Sequence, residues 1–172
     1  MRKFYHGIGC LLLAAVAFSF SFEAKAQDPP PAGGFKNAFL NLNKSGKVAL
    51  TYTLWDEQVK KGNYTLCFFW ASWSDEAREE VPYVQAVHKK YAGKVKVLGV
   101  TYGDEIQDSM DALPEWGMTF PHLVFVEDAP PDGRFDIDSI PLVILFGPDG
   151  SIIARDLKGE EIEKAVEEAL KK

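Results

Sequence analysis

The most constraining feature of this sequence is a short apolar run that leads directly into an amphipathic helix pattern. Residues Tyr64–Trp70 are rich in aromatic side chains and predict a buried strand, because the run is too short for a helix. Residues Asp75–Tyr91 repeat apolar side chains at helical spacing, with Ala77, Val81 and Val84 on one face. A strand followed by such a helix predicts a sheet with a helix layer packed against it.

The rest of the chain predicts further strands and helices in alternation. They are a strand over Lys96–Thr101, a helix that opens with the acidic stretch Asp104–Asp111 and stops near Gly117, a strand over Phe120–Val126, a loop over Glu127–Asp138, a hairpin of Leu142–Phe146 and Ser151–Arg155 around the turn Gly147–Gly150, and a last helix over Glu160–Leu170. A β-α-β unit, a hairpin and a final helix indicate an α/β protein of three layers, with a central mixed sheet flanked by helices.

The first 26 residues have the pattern of a cleavable secretory signal. Arg2 and Lys3 precede the apolar run Ile8–Phe22, and the small-residue pattern Ala24–Ala26 follows just before Gln27. The run is too short and wrongly flanked for a membrane-spanning helix. We therefore expect cleavage near Ala26–Gln27, no membrane insertion afterwards, and a periplasmic or secreted protein.

Cleavage would divide the chain into three regions: a signal peptide (1–26), a Pro/Gly tether (27–34) and one domain (35–172). It would remove Cys10 and leave Cys67 as the single cysteine, which excludes an internal disulfide. It would also remove three basic residues and one acidic residue, so the net charge would become more negative than −6. An acidic chain is a poor partner for nucleic acid or for anionic membrane surfaces.

The segment Phe69–Pro82 resembles the active-site segment of exported TlpA/ResA-type thiol–disulfide oxidoreductases, which belong to the thioredoxin-like superfamily. It reads F-W-A-S-W-S-D-E-A-R-E-E-V-P, where that family has F-W-A-x-W-C-x-x-C-R-x-E-x-P. Ser139–Pro141 is similar to the family's cis-proline loop, and Gly147–Gly150 to the turn that follows. The resemblance implies a thioredoxin-like fold over about residues 35–172, with a cis-proline loop at Pro141.

The resemblance fails at the two residues that carry the family's chemistry. Ser74 stands where the family has its attacking cysteine, and Ala77 where it has the resolving cysteine. A serine hydroxyl has no accessible anion near neutral pH, and an alanine cannot resolve a mixed disulfide. The resemblance therefore implies that the dithiol reaction is absent and that the chain has no catalytic pair and no cofactor.

Ser74 has a structural interpretation and a chemical one. Serine is among the best helix N-caps, and Asp75 and Glu76 place negative charge in the first turn, where it stabilises the helix. A serine nucleophile would instead need a base, which His88 or His122 would have to supply from elsewhere in the fold. We expect the N-cap.

Cys67 also has two interpretations. It alternates with Phe69 on one face of the predicted strand, which predicts a buried thiol with a raised pKa. The alternative is a residual thiol oxidoreductase or peroxidase activity through Cys67. The acidic stretches lack the spacing of a calcium loop and no Cys/His cluster offers zinc ligands, so we expect no metal site.

In the resembling fold, the residue before the cis-proline pairs with an extended substrate beside the first cysteine. The resemblance therefore implies a groove formed by Trp73, Ser74, Ile140 and Pro141, unless the proline serves only to shape the fold. Glu80 matches a carboxylate that tunes the family's thiols; without thiols we expect a solvated or hydrogen-bonded helix residue. The predicted function is a redox-inactive binding or accessory module that holds an extended segment of another exported protein.

Overall fold

The computed structural model describes residues 38–41, 51–59, 62–125 and 137–171. The predicted signal peptide and tether lie outside the described residues, and so does most of the predicted loop over residues 127–138. Within the described ranges, no helix has the length and apolar character that crossing a membrane requires.

The described chain contains seven strands and four helices. In chain order they are β1 (Ala38–Asn41), β2 (Thr51–Leu54), α1 (Trp55–Val59), β3 (Tyr64–Trp70), α2 (Asp75–Lys90), β4 (Val95–Thr101), α3 (Ile106–Glu115), β5 (His122–Phe125), β6 (Leu142–Phe146), β7 (Ile152–Ala154) and α4 (Glu160–Ala169). The strand predicted over Tyr64–Trp70 is confirmed to the residue, and the later elements are confirmed with small shifts at their ends. The sequence pattern did not single out β1, β2 or α1.

The strands form one mixed sheet in the order β2-β1-β5-β4-β3-β6-β7. β3 runs parallel to β4, and β4 to β5, whereas β6 pairs with β3 in the antiparallel direction. The predicted α/β class with a central mixed sheet is therefore confirmed. The peptide bond between Ile140 and Pro141 is cis, as the resemblance implies.

The alternation of side chains along β3 divides the core into two clusters on opposite faces of the sheet. Leu66, Phe68 and Trp70 pack on the face that also holds buried side chains of α2, α3 and α4. Cys67 and Phe69 pack on the opposite face, in a cluster with the α1 end residue Val59 and buried side chains of β4, β5 and β6. Helices thus lie against both faces of the sheet, which confirms the three layers.

Candidate functional site

Three loops leave the sheet at the carboxyl end of β3. β3 and β4 run parallel, and Trp70 pairs with Thr101, so the segments that follow these two strands leave the sheet at the same end of the strands. β6 is antiparallel and pairs Leu142 with Phe69, so the loop that precedes it, with Pro141, reaches the same edge. In open α/β sheets, ligands bind outside the carboxyl ends of the strands, and the candidate site lies at this edge.

Trp73 is the most exposed large hydrophobic side chain of the described residues, with 65% of its surface accessible. Its indole Nε1 donates a hydrogen bond of 2.9 Å to the backbone carbonyl of Gly103, in the loop after β4. The next residue, Asp104, accepts hydrogen bonds from the backbone N–H of Ser72 at 2.7 Å, from the Ser72 hydroxyl at 2.9 Å and from the Ser109 hydroxyl at 2.7 Å. These contacts fix an exposed aromatic ring in place.

The bonds to Asp104 also correct one expectation. The sequence predicts that Asp104 opens the second helix, but α3 begins at Ile106, with Glu105 as its N-cap. Asp104 is half-buried, and its carboxylate joins the loop after β3 to the start of α3. The acidic stretch at this point is therefore partly structural.

Ser74 is the N-cap of α2, as predicted. Its backbone is extended, and its hydroxyl accepts a hydrogen bond of 3.1 Å from the backbone N–H of Ala77. The hydroxyl also bonds to Glu76 Oε2 at 3.4 Å, and neither His88 nor His122 is among its partners in the described part of the chain. Only 2% of Ser74 is exposed, so its side chain positions the helix start and cannot touch a partner directly.

Ile140 and Pro141 are both half-buried, so part of each remains on the surface. Ile140 packs against the cluster that contains Cys67 and Phe69. Trp73 follows the last residues of β3, and Pro141 precedes Leu142, which pairs with Phe69 of β3. The strand register therefore brings this loop and Trp73 to the same end of the strands. Of the four predicted groove residues, Trp73, Ile140 and Pro141 are those that keep accessible surface.

Cys67 is completely buried, as its place on the strand predicts. Burial raises the pKa of the Cys67 thiol, and the nearby positive charge of Lys96 lowers that pKa by a smaller amount. The thiolate, which is the reactive form, is therefore strongly disfavoured at neutral pH. Cys67 also lies in the middle of β3, away from the strand end where the loops meet.

Sequence comparison places the chain near thiol–disulfide oxidoreductases. No protein-family model matches it. The chain is 23% identical over 94 residues to the thiol-disulfide oxidoreductase ResA of Bacillus subtilis strain 168, which covers 54% of this chain and 52% of that protein. It is 28% identical over 98 residues to the thioredoxin-like protein YneN of the same strain, covering 55% of this chain and 56% of that protein. The matches thus span about half the length of these two relatives.

Structure comparison decides the fold. The solution structure of a thiol:disulfide interchange protein from Bacteroides sp. superposes with a TM-score of 0.66 at 21% identity, covering 81% of this chain and 90% of that one. The chain has a thioredoxin-like fold. The resemblance to ResA-type proteins that the Phe69–Pro82 segment indicates is confirmed by the sequence matches.

The chain has no Cys-x-x-Cys motif, because its two cysteines are Cys10 and Cys67. At the start of α2, where a thiolate would gain from the helix dipole, stand Ser74, Asp75 and Glu76. The described residues also contain no group of three His, Cys, Asp or Glu side chains placed to hold a metal ion. The arrangement can bind through an exposed aromatic ring, and it offers no nucleophile at that position.

Glu80 is a hydrogen-bonded helix residue, which is one of the two roles expected for it. Its Oε2 accepts a hydrogen bond of 2.8 Å from the backbone N–H of Gly159, the N-cap residue of α4. Glu80 therefore joins α2 to the start of α4. An open groove of about 720 Å³ lies beside this contact, and is lined by Glu79, Glu80, Tyr83, Lys158, Gly159 and Glu161.

His122 is a residue whose environment the sequence did not reveal. It is completely buried between Trp70 and Phe120, with ring centroids 5.4 and 4.6 Å away. Neither of its ring nitrogens has a hydrogen-bond partner among the described residues. Burial lowers the pKa of His122 to about 3, so the ring is neutral at physiological pH. The one sequence feature that could have indicated this burial is Gly99 in the predicted strand. It pairs with His122, and its missing side chain leaves room for the His122 ring.

Proposed function

We propose that this protein is an exported, redox-inactive thioredoxin-like module that binds an extended segment of another exported protein. The proposed binding surface is at the carboxyl end of β3 and comprises Trp73, Ile140 and Pro141, whose loops the strand register brings to that end. The relatives named as oxidoreductases support the scaffold, and the residues of this chain support a different use of it. Export rests on the signal pattern of residues 1–26.

The observation that carries this proposal is the state of Trp73. The Trp73 side chain is 65% exposed, and tryptophan is enriched at interfaces because its ring can bury a large apolar area while its N–H keeps a polar partner. Its N–H is bonded to Gly103, so the ring loses little conformational freedom when a partner binds. Rigid aromatic residues of this kind are the side chains that most often dominate interface energetics.

Two further observations argue against a retained thiol reaction. The only cysteine among the described residues is fully buried, and its pKa is raised. The hydroxyl at the family's attacking position is also buried and is bonded to the helix it caps. Neither group is accessible to a substrate disulfide in the folded protein.

Peptide selection tests the binding function. Random peptides displayed on phage are selected on the purified protein, and the recovered peptides are measured against Trp73→Ala and against a control, Ile153→Ala. Ile153 is 40% exposed and lies on β7, an edge strand of the sheet that is separated from β3 by β6. We expect Trp73→Ala to weaken binding about tenfold or more, as for an interface hot spot, and Ile153→Ala to leave it unchanged. Failure to recover any peptide, or equal binding by Trp73→Ala, would overturn the proposal.

A reductase assay tests the absence of redox chemistry. The purified protein and its Cys67→Ser variant are compared for the reduction of a protein disulfide in the presence of dithiothreitol. We expect both to match the uncatalysed rate, because the Cys67 thiol is buried and protonated. A wild-type rate clearly above that of Cys67→Ser would establish the alternative, a residual oxidoreductase activity through this cysteine.

A further inference from the structure

Carboxylates are held next to both chain neighbours of Trp73. On one side, Glu76 Oε2 lies 3.4 Å from the Ser74 hydroxyl. On the other, the Asp104 carboxylate accepts from the backbone N–H and the hydroxyl of Ser72 at 2.7 and 2.9 Å. Both residues that flank Trp73 in the chain therefore contact a carboxylate.

The same sign extends along the elements that meet at this edge. Residues 71–80 and 102–111 contain eight acidic side chains and one basic side chain, Arg78. Arg78 is already paired with Glu115 at 3.4 Å and lies over the Trp116 ring. The loop over residues 137–141 adds Asp138 and no base. Glu79 and Glu80 line the separate groove beside α4, but the segments on either side of Trp73 still carry more acids than bases, and such segments would repel an acidic partner.

The chemistry of the indole favours the same kind of partner. Its only donor is occupied by Gly103 O, so the remaining exposed surface is the π system. The face of a tryptophan ring attracts cations more strongly than that of any other aromatic side chain. An arginine guanidinium stacks on such a ring and pairs with carboxylates in the same plane.

We propose that the bound segment is cationic, and that one of its Arg or Lys side chains lies on the exposed Trp73 ring, beside the acidic first turn of α2. This inference rests on the proposed binding function and adds the charge of the partner to it. The groove selects basic extended segments of exported proteins and rejects acidic ones.

The composition of the selected phage pool separates the two proposals. A pool enriched in Arg and Lys at one position supports the inference. A pool that binds through Trp73 without such enrichment overturns the inference and leaves the binding function standing. A selection that yields no peptide overturns the binding function, and the inference with it.

The strongest selected peptide and a copy with Gln at each Arg or Lys then serve as probes. We expect the copy to bind about tenfold more weakly, and the dissociation constant of the original to rise several-fold between ~50 and ~300 mM salt. The double variant Asp75→Asn, Glu76→Gln should weaken the original peptide about fivefold. Its matched control is Glu160→Gln, Glu161→Gln, which removes two acids from the first turn of α4. Equal effects of the two double variants would overturn the inference.

Discussion

His122 should make the stability of this protein depend on pH between about 3 and 6.5. The ring is completely buried, its nitrogens have no partner among the described residues, and burial lowers its pKa from 6.5 to about 3. In the unfolded chain the ring titrates normally. Between these two pKa values the unfolded state binds more protons than the folded state, so stability rises with pH.

The magnitude follows from the two pKa values. The contribution of the neutral His122 ring to the free energy of unfolding is fully present above about pH 6.5, and it is lost as the pH falls towards 3. Between about pH 8 and about pH 5, linkage predicts a loss of about 2 kcal/mol in the free energy of unfolding. That is a sizeable part of a typical stability of about 5–15 kcal/mol.

The assay is urea unfolding of the wild type and of His122→Phe at both pH values. Phe has no titratable group and suits a site between Trp70 and Phe120, and any cost of its larger ring is the same at both pH values. The carboxylates titrate in both proteins and cancel in the comparison. We expect the urea midpoint of the wild type to fall by about 1 M more than that of the variant on acidification.

A variant of a second histidine serves as the control, and NMR titration gives a second measurement of the His122 pKa. His88→Gln removes a histidine that is half-buried, and it should change the pH dependence much less. If His122→Phe does not fold, the ring resonances of His122 in the folded wild type can be followed by NMR, and they should not titrate above about pH 4. The same pH dependence in wild type and variant, or a His122 pKa near 6.5, would refute the burial of a neutral ring.

Three further predictions concern single positions. Ser74→Ala should lower the free energy of unfolding by about 1 kcal/mol through loss of the N-cap, and an unchanged urea midpoint would contradict the hydrogen bond to Ala77. Gly99→Ala should lower the free energy of unfolding by about 1–3 kcal/mol, because the new Cβ would lie 2.1 Å from His122 Nδ1. Adding His122→Ala to that variant should relieve part of the cost, and strictly additive effects of the two substitutions would contradict the close contact. Cys67 should react with a thiol reagent only after denaturation, and rapid labelling of the native protein would contradict its burial.

The elements that local rules determine were predictable. β3 is apolar on both faces, as a strand in the centre of a sheet must be, so its apolar run predicts the strand over its whole length. The start of α2 follows from Ser74 and the acids after it, because capping depends only on neighbouring residues. The burial of Cys67 follows from alternation along the same strand.

What the sequence did not reveal depends on contacts between distant segments. Asp104 looks like an ordinary acid at a helix start, and only the fold brings it to Ser72 and Ser109. His122 looks like a surface residue near a proline, and only the pairing of β5 with β4 places its ring over Gly99. Such residues carry no local pattern, because their roles are defined by the partner that the tertiary structure supplies.

The charges around the start of α2 connect the absence of a thiol with the proposed choice of partner. In a thiol enzyme the helix dipole lowers the pKa of a cysteine at this position, and adjacent carboxylates oppose that effect. Here the dipole already interacts with Asp75 and Glu76, and the backbone donor of Ala77 is occupied by Ser74. The carboxylates that would oppose a thiolate here would attract the cationic segment that we propose. A scaffold without a dithiol can therefore carry acids at this end of the sheet at no cost to thiol catalysis, and on our proposal these acids would attract a basic segment to Trp73.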